Sequence, residues 1–574
     1  MMKRTLIILA FILICLLPAV AQVKKQESVL KREVTLYNPY KPYLPVVQKR
    51  SFLPDMNDTI KVSPNFRYDI KTEPFLPAYT ISPIKAAALL PDPLPKLYKS
   101  YINIGMGNYI TPLAEISITN ERSKKGTLGF YARHYSSSGK IKLQNDKKVF
   151  AGFMDNDASL FGRKFFRKSI LESSLDFNQK NRYAYGYDYG YDLVPAYSPD
   201  KKEILHSFYN VGAKASLAST TLDSTSFSYK FDMHYNYFYN TSDLFQQNVG
   251  FTGIMAKSFK DFYVGSGIGY DYYKLSDFLL TNPKSIISLS PFIKKSKEQW
   301  SFKLGFQAVI DNNMAITPEV HPYPDINFGF SLVPAYASFF AGLSGKLEDN
   351  NPLKIIGENP YLIQDGRMFK LPNTDHKLIV FTGLKGNSGI GGNYLVSASY
   401  SLINDMLFYS NIEFPHKPLF PQMGNNFIVL PDDVELLTIH GEMSGKISDK
   451  ISYNGKANWY KYTLTMNDFA WNKPDWDAQL GLKYNLRDKI IAGAELTGTG
   501  KRKLVVSNSE IIPPTEIVFD MPVHFNLSLS AEYRYSKILS FWTKINNISN
   551  NRYYEWAFYP SQRFQYMLGF TYSL

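Results

Sequence analysis

The 574-residue sequence contains one cysteine, no glycine before Gly105 and no long apolar run beyond its first 21 residues. A single cysteine excludes a disulfide scaffold and a cysteine-rich metal site. The absence of later runs approaching ~18 apolar residues excludes a polytopic helical membrane protein. A hydrophobic share of 45% is nevertheless too high for a disordered chain.

The amino-terminal segment has the pattern of a secretory signal peptide. Two basic residues precede an apolar run from Leu6 to Leu17, and the small residues Ala19 and Ala21 follow it. We expect cleavage after Ala21, so that residues 1–21 form the signal peptide. Cys15 lies inside the apolar run, and the mature chain is therefore expected to be exported without a cysteine.

Residues 22–100 differ in composition from the rest of the chain. Eleven prolines lie between Pro39 and Pro95, and the segment has no glycine. Proline removes hydrogen-bond donors and the absence of glycine disfavours the tightest turns, so the pattern predicts an extended Pro-rich arm rather than a compact domain. The arm is interpreted either as a linker or as a segment that docks in a lumen or on a partner. Its many aromatic residues favour docking.

From about residue 100 the sequence alternates between apolar and polar residues. In 523–535, Phe525, Leu527 and Leu529 share one strand face and polar residues occupy the other, as also happens in 227–237, 476–487 and 564–574. Runs of ten or more such residues match a membrane rather than a soluble sheet. A soluble β protein remains the alternative, but its inner face would be drier.

About 22 such strands follow Leu97, and short and long connections alternate between them. The long connections are 136–156, 181–203, 350–375, 411–433, 500–520 and 547–562. Bacterial outer-membrane barrels have short periplasmic turns and long outer loops. The predicted fold class is therefore all-β: residues 101–574 form a transmembrane antiparallel β-barrel of about 22 strands, preceded by the extended Pro-rich N-terminal arm.

The end of the sequence resembles TonB-dependent receptors. Residues 545–548 followed by Tyr553 and Tyr554 are similar to an element of that family, and 559–572 resembles its closing strand, with Gln562 where glycine is usual. Residues 371–376 resemble a mid-barrel element more loosely. The resemblance implies energised import of scarce nutrients such as metal chelates, cobalamin or glycans. It also implies a glycine-containing plug, which the glycine-free segment 22–100 does not match, so a standard plug is expected to be absent.

No residue is predicted to be catalytic, to bind a cofactor or to bind a metal. Gly265, Gly267 and Gly269 fall inside an alternating strand pattern, which argues against a phosphate-binding loop. Tyrosine provides contact area at low entropic cost, so a Tyr/Gly-rich loop is a candidate ligand-gripping surface or, alternatively, packs on the barrel rim. The candidate ligand-contact residues are Tyr183, Tyr185, Tyr187, Tyr189, Tyr191, Trp471 and Trp556.

The predicted function is that of an outer-membrane transport protein resembling TonB-dependent receptors, which takes up an unidentified solute. The alternative is a plugless barrel that serves as scaffold or accessory subunit of an outer-membrane complex. The expected partners are outer-membrane lipid and lipopolysaccharide, whose phosphates would suit the net charge of +14, and an unknown solute or a periplasmic or outer-membrane protein. We expect no enzyme activity, and no nucleic-acid partner, because an exported protein of the Gram-negative outer membrane does not meet one.

Overall fold

A computed structural model describes residues 98–574, except 121–122, 144–145, 147, 187–199, 221–226, 277–282, 314–317, 364–370, 390, 414–425 and 509–514. The predicted signal peptide and nearly all of the predicted arm lie outside the described residues, and both remain predictions. No helix in the described part of the chain is long and apolar enough to cross a membrane.

The described residues form 28 strands and one helix, α1 (Pro352–Glu358), which lies between the fifteenth and sixteenth strands. The strands are β1 (Ser100–Gly107), β2 (Thr111–Thr119), β3 (Gly126–Ser137), β4 (Lys140–Lys142), β5 (Lys148–Phe150), β6 (Phe153–Phe165), β7 (Ser169–Tyr183), β8 (Leu205–Ser219), β9 (Ser228–Asn240), β10 (Phe245–Phe259), β11 (Phe262–Leu275), β12 (Lys284–Ser296), β13 (Trp300–Asn312), β14 (Glu319–Val333), β15 (Ala337–Glu348), β16 (Thr374–Asn387), β17 (Asn393–Glu413), β18 (Asn426–Lys446), β19 (Ile451–Leu464), β20 (Trp476–Leu486), β21 (Ile490–Thr499), β22 (Arg502–Asn508), β23 (Thr515–Met521), β24 (His524–Arg534), β25 (Leu539–Asn546), β26 (Tyr554–Trp556), β27 (Tyr559–Pro560) and β28 (Gln565–Ser573).

Twenty-two of these strands form one closed antiparallel barrel. Each pairs with the next barrel strand along the chain, and β28 pairs with β1 to complete the ring. The hairpins β4–β5, β22–β23 and β26–β27 lie within connections. At one end the connections are short: the shortest is 260–261 and the longest is 220–227. The other end carries the long loops 184–204, 349–373 and 500–523. The predicted strand number and the alternation of connections are confirmed.

The barrel has an apolar outer surface and a polar inner one. On β24, Phe525, Leu527 and Leu529 are exposed although they are apolar, as expected for a surface that contacts lipid. An apolar band of this extent in water would be an aggregation hazard. The opposite face carries ion pairs, such as Arg133 with Glu115 (3.4 Å) and Asp157 (3.9 Å). The fold is therefore a transmembrane β-barrel of the bacterial outer-membrane type.

Trp542 stabilises the closure between the first and last strands. Its indole Nε1 donates to Asn103 Oδ1 on β1 (2.7 Å). The ring lies flat over two glycines: a Cβ at Gly569 on β28 would be 2.3 Å from Trp542 Cζ2, and one at Gly105 on β1 would be 2.6 Å away. The two glycines are therefore required for space, and the tryptophan joins β25, β28 and β1 along the inner wall.

We expect Gly569→Val to weaken barrel closure. The new side chain would collide with both Trp542 and the carbonyl oxygen of Ile104, and overpacking of this kind typically costs ~1–3 kcal/mol. The thermal unfolding of the purified barrel, followed by its mobility on unheated gels, measures the loss. Gly441→Val on β18 is the matched control, since no atom lies within 4 Å of a Cβ placed there. Equal stability of the two variants would contradict this role of Trp542.

The long connection predicted at 411–433 is wrong in its bounds. β17 continues to Glu413 and β18 begins at Asn426, so the two strands form a hairpin that rises above the neighbouring wall. Pro431 lies in this part of β18, opposite Leu407 of β17. Among the described residues, the side of β18 away from β17 meets Leu362 at Phe427 and β19 only from Val434 onward, so no ladder on that side needs the missing N–H of Pro431.

Candidate functional site

A continuous apolar core lies at the long-loop end of the barrel. It joins Phe238 on β9 to Phe427 on β18, two strands on nearly opposite sides of the wall. With strands ~4.8 Å apart and tilted by ~40°, a wall of 22 strands is on the order of 40 Å across, so side chains alone cannot span it. The loops 349–373 and 547–564 supply the residues in between and thus extend across the mouth.

We refer to this core as the loop cap. It consists of buried side chains from the loops, from the β22–β23 hairpin and from the upper ends of the wall strands. Its members are Phe208, Phe238, Leu244, Leu275, Ile355, Ile356, Leu362, Leu371, Leu407, Tyr409, Phe427, Val429, Leu504, Met521, Ala557, Phe558 and Tyr559. Apolar burial on this scale stabilises the packing of the loops against the wall.

An aromatic stack forms the centre of the loop cap. The rings of Tyr361 and Tyr559 are stacked with their centroids 3.8 Å apart, and Tyr185 meets Tyr559 edge-on at 5.0 Å. Trp556 makes an edge contact with Phe427 at 5.3 Å. Aromatic pairs in such geometries add ~0.5–1.5 kcal/mol each beyond their buried area. The stack therefore connects three separate loops to the wall.

Charged groups surround the stack. The Arg182 guanidinium on β7 donates two hydrogen bonds to the Asp155 carboxylate (2.7 and 3.2 Å). Arg502 on β22 donates to the backbone carbonyl oxygens of Tyr554 and Glu555, the latter at 2.6 Å. Arg502 thereby holds the β26–β27 segment, in which Glu555 is the middle residue of β26. Tyrosine rings, two guanidinium groups and the carboxylates of Asp155 and Glu555 thus lie together at one place.

The loop-cap environment shifts the ionisation of Glu555. Its side chain remains accessible to water but is enclosed by protein on most sides. Burial raises the pKa of the Glu555 carboxyl, and the charges of Arg182 and Arg502 only partly offset the rise. Burial likewise lowers the pKa of Lys473, which lies over the Tyr409 ring. Both groups therefore carry their charges at a cost.

A polar network fixes the base of loop 349–373 to the wall. Lys284 on β12 donates to both Asp349 and Asn373, and Asn373 donates to Asp311 on β13 (2.7 Å). Asn351 caps α1 by accepting from the backbone N–H of Lys354 (3.0 Å). The loop is thus anchored at its ends while its middle reaches the aromatic stack.

We expect Arg502→Gln to loosen the β26–β27 segment. The substitution removes charge-assisted hydrogen bonds to two carbonyl oxygens, which are typically worth ~1.5–3 kcal/mol for one such group. Hydrogen–deuterium exchange of residues 551–560 should become roughly tenfold faster. Lys501→Gln is the control, because the neighbouring lysine is exposed. Unchanged exchange in the Arg502 variant would mean that apolar contacts alone hold the segment.

The candidate residues from the sequence separate into different environments. Tyr185 and Trp556 both pack against the loop cap. Tyr183, at the end of β7, makes an edge contact with Phe150 at 4.7 Å, and Trp471 is only 4% exposed in a separate core. The remaining three candidates, Tyr187, Tyr189 and Tyr191, lie outside the described residues.

Sequence inspection missed Tyr361, Arg182, Arg502 and Glu555 as members of the site. Tyr559 was visible as part of the closing-strand pattern, but nothing in its spacing indicates a stack with Tyr361. The carbonyl groups that accept from Arg502 belong to residues more than 50 positions further along the chain, and local periodicity does not indicate contacts over such a separation. A signal was present only in the concentration of aromatic residues within 553–559.

Other chemistry in the described residues is limited. No three histidine, cysteine or acidic side chains among them are arranged to hold a metal ion. His234 lies 2.7 Å from Asn248 Oδ1 and 3.3 Å from an Asp271 oxygen, within the polar face of the wall. The prediction that Gly265 and its two glycine neighbours belong to a strand is confirmed, because all three lie in β11.

Comparison of the sequence with family models and with curated proteins finds no match. Solved structures do resemble the barrel. The FrpB iron transporter from Neisseria meningitidis superposes with a TM-score of 0.62 at 9% identity, covering 84% of this chain and 82% of that chain. The ferripyoverdine receptor of Pseudomonas aeruginosa gives 0.60 at 12% (84% and 72%), and the copper transporter OprC gives 0.58 at 11% (84% and 81%). The chain therefore has the fold of TonB-dependent outer-membrane receptors, as its closing strand implied.

Proposed function

We propose that this barrel, which has the fold of outer-membrane receptors, takes up a solute whose access from outside is controlled by the loop cap. The observation that carries the proposal is the apolar core across the mouth, built from three loops and both sides of the wall. A permanently open pore would have no use for such a core. A barrel that admits a selected solute requires a closure that ligand binding can displace.

The similar solved structures support transport rather than catalysis. Their descriptions name an iron transporter, a ferripyoverdine receptor and a copper transporter. The described residues also contain no arrangement that we can assign to a catalytic reaction. The solute of this protein is unidentified.

The residues proposed to contact the solute are those at the centre of the loop cap. Tyr185 and Trp556 retain the role expected from the sequence, and Tyr361, Tyr559 and Glu555 join them. Tyr183 and Trp471 pack beside other cores and would act only by supporting loops. A solute that stacks on the tyrosines would compete with the contacts that hold the cap closed.

Growth of a deletion strain tests the proposal. The deletion strain, its parent and the deletion strain complemented with the native chain are compared in media where growth is limited by chelated iron, copper or a glycan. Uptake predicts a growth defect on at least one source, rescued by the native chain. If the deletion strain shows no growth defect on any of these sources, and a partner protein co-purifies stably with the chain, the scaffold alternative is favoured.

A further inference from the structure

The ladder between two neighbouring wall strands stops halfway along their length. β14 pairs with β13 from Glu319 to Phe330, but it pairs with β15 only from Ile326 onward. β15 itself continues to pair with β16 as far as Glu348. Residues 319–325 of β14 and 344–348 of β15 are therefore both within the wall yet do not pair with each other. We call this stretch the upper seam.

Two prolines of β14 lie within the upper seam. Pro322 and Pro324 lie opposite Ala308 and Phe306 in an otherwise regular ladder with β13. Successive residues of a strand point their N–H groups to opposite sides, and proline has none. Prolines fit this ladder only if their nitrogens face β15, so two of the three positions in 319–325 that face the seam cannot donate across it, and only Val320 keeps an N–H there. Proline in a sheet marks an edge strand.

Side chains replace the missing ladder. Asp375 on β16 accepts a hydrogen bond from the Tyr323 hydroxyl (2.7 Å) and lies 3.2 Å from His321 Nδ1, so it reaches β14 past the intervening strand. A Cβ at Gly345 would be 2.5 Å from Tyr323 Cδ1, so β15 approaches closely only because it has glycine there. The seam is thus closed by a few side-chain contacts instead of a run of backbone hydrogen bonds.

The upper seam lies at the level of the membrane. The positions of β14 that share one face are all apolar, namely Val320, Pro322, Pro324, Ile326, Phe328, Phe330 and Leu332. At ~3.3 Å per residue and a tilt of ~40°, this stripe covers roughly 30 Å of height, which is the thickness of the hydrocarbon core. Val320 is 65% exposed at the long-loop end, so the seam faces the outer leaflet.

We propose that the upper seam is a lateral access site, through which an acyl chain of an outer-leaflet glycolipid enters the barrel wall. The edge that β14 offers across the seam has two prolines and a single backbone donor, that of Val320, so it gives an added peptide strand few hydrogen bonds and leaves room for an acyl chain. Backbone left unpaired against lipid is costly, so a seam at this depth needs a reason. The Asp375 contacts with Tyr323 and His321 are the closure that such a chain displaces. This inference does not depend on the proposed uptake of a solute.

Photocrosslinking in living cells tests the site. A benzoylphenylalanine residue replaces Tyr323, and the same residue replaces Tyr273 on β11 as the matched control. Both tyrosines are buried, but β11 has continuous ladders with β10 and β12 up to this level. We expect the purified chain to carry a covalent glycolipid adduct several-fold more often from position 323. Equal adducts at both positions, or none at position 323, would overturn the proposal; an adduct with a peptide would do the same.

A second measurement leaves Tyr323 in place. Asp375→Ala should accelerate hydrogen–deuterium exchange of residues 319–325 at least several-fold in a membrane that contains the glycolipid. Asp477→Ala is the control, because Asp477 also accepts from a tyrosine hydroxyl, that of Tyr460 (2.8 Å), but lies away from the seam on β20. Exchange of 319–325 that does not respond to Asp375→Ala would show that the seam does not open there.

Discussion

Alanine in place of both Phe427 and Tyr559 will expose the lumen of the barrel to a bulky reagent added outside the cell. Phe427 is fully buried and Tyr559 is 2% exposed, and the two rings connect the wall to loop 547–564. Removing one large buried aromatic side chain costs ~3–5 kcal/mol. Even ~3 kcal/mol corresponds to roughly a 100-fold larger population of the open loop cap.

A single engineered cysteine measures this opening. Lys214 lies on the polar face of β8 beside His234, and Lys214→Cys provides one thiol in a mature chain expected to have no other. A maleimide too large for porins should label it slowly with the native cap and on the order of 100-fold faster with the double substitution. Phe525→Ala is the control, since Phe525 faces lipid on the outer wall. Rapid labelling beneath the native cap would contradict closure by the loops.

The loop cap should open more readily as the pH rises from acid to neutral. Below about 4.5, the ordinary pKa of the group, the Glu555 carboxyl is protonated in both the open and the closed cap. Burial raises its pKa in the closed cap, so the closed form holds the proton more tightly. The contribution of Glu555 is therefore fully present at acid pH and is lost as the pH rises through the raised value.

Glu555→Gln isolates this effect. The amide stays neutral, so the cap should close equally well at acid and neutral pH. The maleimide labelling rate of the Lys214→Cys chain is divided at each pH by the rate in the chain that also carries Phe427→Ala and Tyr559→Ala, which removes the pH dependence of the thiol itself. This ratio should rise from acid to neutral pH several-fold less with Glu555→Gln than with the native residue. Glu298→Gln is the control, because Glu298 is exposed in a short turn at the other end of the barrel. A pH profile that is the same with Glu555→Gln would show that another group controls the cap.

The barrel was predictable because its wall obeys a local rule. Each strand must place an apolar side chain outward at every second position, and segments such as 476–487 and 523–535 show this directly in the sequence. Closure then follows because an unpaired strand edge is not tolerated in lipid. The rule does not apply where a strand leaves the membrane, and the outer ends of β17 and β18 were accordingly assigned to a long connection.

The loop cap was not predictable in the same way. Its contacts join residues far apart in the sequence, such as Tyr185 with Tyr559, and they depend on how loops fold over a lumen rather than on periodicity. Trp471 illustrates the difficulty: a tryptophan near a long loop was expected as an outer contact, but it is buried beside Phe408 and Val505. The paired prolines of β14 were visible in the sequence, yet their effect depends on which neighbour their nitrogens face.

Single-channel conductance of the chain without residues 22–95 tests the central claim most directly. Deleting the predicted arm leaves the loop cap as the main barrier, so its effect can be measured alone. We predict that the truncated barrel with an intact cap stays closed in a planar bilayer, and that Phe427→Ala with Tyr559→Ala in the same chain produces a large pore. A large, steady conductance from the truncated barrel with its native cap would contradict the account.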